Sequence, residues 1–165
     1  MGYKLGTVDG KAVLIKENSY YDIATLSNGA ISSDSVEALK FQSELSELFE
    51  SLDEKSATGN LSDVELGNPV PNSPNCYAVG LNYRKHAEES GMDIPEVPMI
   101  FTKHTSCFVG PKANVEMRSD YVDWEVELVA VIGKDGKNIP KENALDHVAG
   151  PVSYTHLRAH ETDTD

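Results

Sequence analysis

The sequence predicts an α+β chain: a small N-terminal β-rich domain over residues 1–66, then the start of a mixed β-sheet domain over residues 67–150. Three observations predict it. A hairpin-type turn signal, Asp9-Gly10, separates two strand-like runs near the N-terminus. The hydrophobic period then lengthens to a helical one over residues 35–52. A Ser/Gly/Asn/Pro-rich connection, closing on Asn68-Pro69-Val70-Pro71-Asn72-Ser73-Pro74, precedes a second set of strand patterns, the strongest at residues 123–132.

The elements follow in order. Residues 3–8 and 11–15 read as the two arms of the hairpin. Residues 20–26 read as a third strand closed by Asn28-Gly29. In the helical stretch Val36, Leu39, Phe41, Leu45, Leu48, Phe49 and Leu52 recur at roughly helical spacing, Glu37, Glu44, Glu47 and Glu50 mark a wet face, and Ser32 or Ser33 is placed to cap the start. Residues 53–75 form the connection. Residues 76–80 read as a buried strand, and residues 83–90 as a short helix capped by Asn82 and stopped by Gly91. Residues 99–103 form another strand, and residues 141–148 a short helix.

Composition narrows the function. Twenty-seven acidic against 14 basic residues give a net charge of −13, which argues against nucleic acid and against an anionic membrane surface, since both need a basic face. No apolar run approaches the length of a membrane helix, and residues 1–11 lack the apolar core of a secretory signal. Cys76 and Cys107 have no metal-type spacing and read as small buried hydrophobes in a reducing, cytoplasmic setting.

Three constellations carry possible chemistry. In a strand, Glu125 and Glu127 share one face about 6–7 Å apart, while Trp124, Val126, Leu128, Ala130 and Ile132 share the other. Two buried like charges need a cation or hydrogen bonds, and oxygen donors suit Mg²⁺, Mn²⁺ or Ca²⁺; the alternative is a strand end whose glutamates reach water. His86 and Glu89 are i, i+3 neighbours on a helix, where a carboxylate can orient an imidazole and raise its basicity; the alternative is an exposed helix with a chance contact. Glu88 lies one place off that face. Lys103 could hold a substrate carboxylate as a point charge, or be a surface lysine. His104 reads as a surface side chain.

In order and spacing these segments resemble the fumarylacetoacetate hydrolase family. The stretches that carry the resemblance are Tyr77-Ala78-Val79-Gly80-Leu81-Asn82-Tyr83, His86-Ala87-Glu88-Glu89, Pro98-Met99-Ile100-Phe101-Thr102-Lys103, Ser106-Cys107-Phe108-Val109-Gly110-Pro111, the run from Val122 to Lys134, and Ala144-Leu145-Asp146-His147-Val148-Ala149-Gly150. The resemblance implies a mixed β-sandwich roll, usually a homodimer. It makes Glu125 and Glu127 ligands of a divalent cation (Mg²⁺ or Mn²⁺, with Ca²⁺ a third candidate), His86 and Glu89 a catalytic pair on a lid, and Lys103 a substrate-side residue. It implies an oxo-acid substrate, with C–C hydrolysis of acylpyruvates or related diketo acids as the leading reaction. Decarboxylation or isomerisation of oxo-dicarboxylic acids is the alternative within the family, and a non-catalytic small-molecule-binding domain the alternative outside it.

The resemblance stops at Gly150. Family members continue with an Asp-x-Ser-x-Arg type motif whose Asp is the third metal ligand, and none is present here. Residues 152–162 instead match one reading frame of a transposase-type sequencing-library adapter at every position. Residues 151–165 are therefore expected to be a non-native tail, with His156 and His160 kept out of site reasoning. The catalytic domain is expected to be truncated and the 165-residue chain inactive.

Overall fold

The computed structural model describes residues 2–117 and 119–159. Its architecture is α+β, as the sequence predicts: one four-stranded and two two-stranded antiparallel sheets, with short helices.

The N-terminal hairpin pairs β1 (Leu5–Val8) with β2 (Lys11–Lys16). Asp9 (φ 50°) and Gly10 (φ 74°) both take the left-handed conformation that a tight two-residue turn between twisted strands requires. β3 (Ser19–Asp22) continues the sheet. It stops at Asp22, short of the expected residue 26, because the Asp22 carboxylate accepts the Thr25 N–H at 2.7 Å and caps α1 (Ile23–Leu26). Ile23 is thereby fully buried.

The expected single helix over residues 35–52 is two helices. α2 (Ser35–Ala38) and α3 (Gln42–Ser51) are separated by a 3-10 turn at Leu39–Phe41. Phe41 leaves the helical region at φ −112°, ψ 44°, a break that side-chain periodicity does not register. The cap of α2 is Asp34, not Ser32 or Ser33: one carboxylate oxygen accepts from both Val36 N–H and Glu37 N–H, whereas the Ser32 hydroxyl accepts from Asp34 itself. At the other end, Lys16 Nζ donates to the Leu52 carbonyl at 3.0 Å, placing a cation at the negative end of α3.

The connection is more structured than its composition suggests. β4 (Gly59–Asn60) pairs with β3, and Leu66 bridges to Val8. Thr7 accepts the Gly67 N–H on its carbonyl and donates its hydroxyl to Asn68. The core lies almost wholly in this N-terminal module. Ala12, Leu14, Tyr21, Ile23, Ala38 and Leu45 form its centre, and Ala87 is the one buried apolar residue described beyond Leu52.

Beyond the connection, β5 (Cys76–Gly80) leads into α4 (Arg84–Glu89), and β6 (Met99–Lys103) returns antiparallel to β5. Tyr83, not Asn82, occupies the N-cap position of α4 and makes no side-chain cap bond; Gly91 (φ 63°) follows its end. β7 (Val122–Ile132) pairs along its length with β8 (Val148–Ala159) after a 3-10 segment at Lys141–His147. β8 runs into the segment expected to be a non-native tail. Alternation of Val152, Tyr154 and His156 with Ser153, Thr155 and Leu157 suits a strand whatever its origin. His160 and the residues after it lie outside the described residues.

Candidate functional site

The site is built between the two small sheets. β7 puts Glu125 and Glu127 on one face, as the two-residue period requires, and that face is half-buried. The opposite, apolar face is the exposed one: Trp124 is 69% and Leu128 72% accessible. Burial on both sides would be expected for such a strand. Here the sheet has two strands, and its apolar face stays accessible among the described residues.

Across β7–β8, Glu125 stands opposite His156 and Glu127 opposite Tyr154, so all four share a face. Across β5–β6, Cys76 stands opposite Lys103. The two faces meet. The Lys103 amine contacts the His156 ring and lies 5.6 Å from the centre of the Tyr154 ring, on which Phe108 packs edge-on at 5.7 Å. Glu127 is close enough to shift two of these groups. Burial pushes the Cys76 thiol up, Lys103 pulls it down, and Glu127 pushes it up again. Burial, and then Glu127, also raise the Tyr154 hydroxyl.

The structure therefore places Lys103 and Glu127 around Cys76, while the direct contacts of Lys103, with His156 and Tyr154, fall in the segment expected to be a non-native tail. It does not join the lid candidates to this cluster. On α4, His86 is half-buried beside the fully buried Ala87, and Glu88 and Glu89 are exposed. Among the described residues no hydrogen bond or ion pair links His86 to Glu89, or either to Glu125 or Glu127. His104 is exposed, as expected. Cys107 is exposed rather than buried, because the 3-10 turn at Thr105–Cys107 turns it outward; both cysteines are free thiols.

Two carboxylates on a half-buried strand face suit a hard divalent cation, which prefers oxygen donors. Among the described residues no three His, Cys, Asp or Glu side chains come together closely enough to hold a metal ion. Sequence reasoning missed Cys76 as a neighbour of Lys103 because that proximity follows from the β5–β6 register. A concavity of about 400 Å³ lies elsewhere, on the N-terminal module between Ile31, Phe41 and Leu48. Its charged lining residues are Glu44 and Glu47, which already read as a solvated helix face, so the carboxylate site is the better candidate.

The profile of the Fumarylacetoacetate (FAA) hydrolase C-terminal family matches residues 75–160, just over half of the chain. The chain belongs to the fumarylacetoacetate hydrolase family. The match covers every element from β5 to β8 and runs ten residues beyond Gly150. Among curated relatives, the oxaloacetate tautomerase fahd2, mitochondrial, of Xenopus laevis is 43% identical over 91 residues, 54% of this chain and 28% of the relative. The oxaloacetate tautomerase YisK of Bacillus subtilis is 43% identical over 109 residues, 62% of this chain and 36% of the relative. The chain thus spans about a third of the length of these relatives. Among solved structures, a Mycobacterium smegmatis protein given the name HpcE superposes with a TM-score of 0.83 at 34% identity, covering 95% of this chain and 56% of that one. No described helix is long and apolar enough to cross a membrane.

Proposed function

We propose that this chain carries the front part of a metal-dependent enzyme that acts on 2-oxo acids through their enolate. The observation that supports this reading is the half-buried face of β7, where Glu125 and Glu127 point the same way inside the family-matched region. On this reading the two carboxylates hold a divalent cation, Mg²⁺ or Mn²⁺, which when bound supplies a Lewis acid for the oxo-acid oxygens. Lys103, facing the same space, offers a cation to a substrate carboxylate. His86 and Glu89 supply proton transfer once α4 moves over the site. On this reading the activity belongs to the extended chain, one that continues past Gly150 with family sequence, rather than to residues 1–165 alone.

Two reactions fit the enolate. Tautomerisation moves a proton between the carbon next to the 2-oxo group and the enol oxygen, and the names of the relatives at 43% identity favour it. C–C hydrolysis of an acylpyruvate adds activated water to the distal carbonyl and releases pyruvate as its enolate; the description of the matched family favours it. Product analysis separates them. The extended chain is incubated with oxaloacetate and with an acylpyruvate in Mg²⁺ or Mn²⁺. Enol–keto exchange without carbon loss supports the first, and pyruvate plus a carboxylic acid the second. Inertness of the extended chain toward both, or turnover by the 165-residue chain at the same rate, overturns the proposal.

A further inference from the structure

We propose that Gln42 is a positioning residue that latches the N-terminal module to the end of the Glu125/Glu127 strand. Gln42 is the first residue of α3, and its Nε2 donates to the Gly133 carbonyl at 2.9 Å, across 91 residues of sequence. Gly133 directly follows Ile132, the last residue of β7.

The surroundings are built around this bond. A Cβ on residue 133 would stand 2.6 Å from Gln42 Nε2 and 2.6 Å from the Ala149 methyl, so the approach needs glycine there. Ala149 reaches that position because the β7–β8 register slips between Val131 and Ile132, which pair with Gly150 and Val148 and leave Ala149 bulged. The Gly133 N–H donates to the His147 carbonyl at 2.9 Å, and the His147 ring bonds the Lys134 carbonyl at 2.9 Å. Both polar groups of the Gly133 backbone are therefore spent, one on each side of the strand end. Every participant lies before residue 151, outside the expected non-native tail.

β7 belongs to a two-stranded sheet with an exposed apolar face, a unit that is marginal alone. A fixed end ties it to the module that holds the core. The bearing on catalysis rests on the reading of Glu125 and Glu127 above; the latch itself does not.

The test compares Gln42→Met, Gln42→Glu, Gly133→Ala and, as control, Glu44→Gln on the same helix. The first readout is the ¹³C shift of the Gly133 carbonyl, which reports the hydrogen bond directly. The second is amide exchange along β7. The expected result is a Gly133 carbonyl shift in Gln42→Met and Gln42→Glu but not in the control, with Gly133→Ala read by exchange alone. Exchange at Val131 and Ile132 should be roughly fivefold faster, as loss of one ordinary hydrogen bond gives, with Ala12–Leu14 unchanged. Because Gly133→Ala reaches the same bond from the other side, the Gln42→Met, Gly133→Ala double variant should exchange no faster than the worse single variant. An unmoved Gly133 carbonyl in Gln42→Met removes the latch. A moved carbonyl with unchanged β7 exchange removes the positioning role. Neither outcome depends on whether Glu125 and Glu127 bind a cation.

Discussion

Cys76 on β5 stands directly opposite Lys103 on β6, and the thiol senses both Lys103 and the Glu127 carboxylate of β7. Burial and Glu127 raise the thiol, and Lys103 opposes them, so Cys76 should stay protonated near neutral pH and alkylate more slowly than the exposed Cys107. Glu127→Gln removes a raising charge and should speed Cys76 alkylation by roughly two- to fivefold, while Lys103→Met should slow it. Peptide mapping after timed iodoacetamide treatment reads both. Equal Cys76 rates in the two variants would show that β5, β6 and β7 do not share this space.

Asp34 should matter more for stability than its exposure suggests. It caps α2 through two backbone N–H groups and accepts from Asn72 Nδ2 at 3.1 Å. The Glu37 N–H first, and then Asn72, hold its carboxyl below the usual range. A depressed folded value means that the stabilisation is complete above the unfolded carboxyl value and is lost as pH falls through the folded one. Asp34→Ala should cost about 1 kcal/mol in urea unfolding at neutral pH. The difference from wild type should shrink in acid.

Tyr3 carries the opposite sign. Its hydroxyl is buried without a partner, and burial raises it above its ordinary value. Tyr3→Phe should be neutral or stabilising by up to about 1 kcal/mol, since it removes an unsatisfied group. Because the folded value is raised, the native state holds its proton longer. Wild type should therefore lose stability as pH climbs past the unfolded tyrosine value, and Tyr3→Phe should lose less. Thermal unfolding across that range separates the two.

Trp124 is the one tryptophan of the chain and sits on the exposed apolar face of β7. Its emission should resemble that of indole in water, with near-maximal quenching by acrylamide. Leu128→Asp, at a position 72% accessible, should change stability by less than about 0.5 kcal/mol. Leu14→Ala, at the fully buried centre of the other module, should cost about 2–5 kcal/mol. Blue-shifted emission from Trp124 would show that the face is covered.

Local chemistry made the N-terminal hairpin, the strands at Cys76–Gly80 and Met99–Lys103, and the shared face of Glu125 and Glu127 legible in the sequence. Each rests on a turn pair or a two-residue period, which neighbouring residues specify. What was illegible depends on competition or on distant partners. Asp34 and Asp22 took caps that serine or a strand seemed to own, because a carboxylate oxygen can accept from the backbone better than a hydroxyl. β4 formed where composition read as a connection, because β3 offered an open edge. The inversion of β7, with carboxylates half-buried and the apolar face exposed, could not be read from alternation, which says that two faces differ but not which one is covered.

The most direct test is the affinity for Mn²⁺ of a chain continuing past Gly150 with family sequence, measured by calorimetry for wild type, Glu125→Gln and Glu127→Gln. Loss of a residue that only hydrogen-bonds to a ligand weakens metal sites by about 10–100-fold, so loss of a direct ligand should weaken binding at least that much in each variant. Unchanged Mn²⁺ affinity in both variants would contradict the assignment of Glu125 and Glu127 as the metal-binding pair.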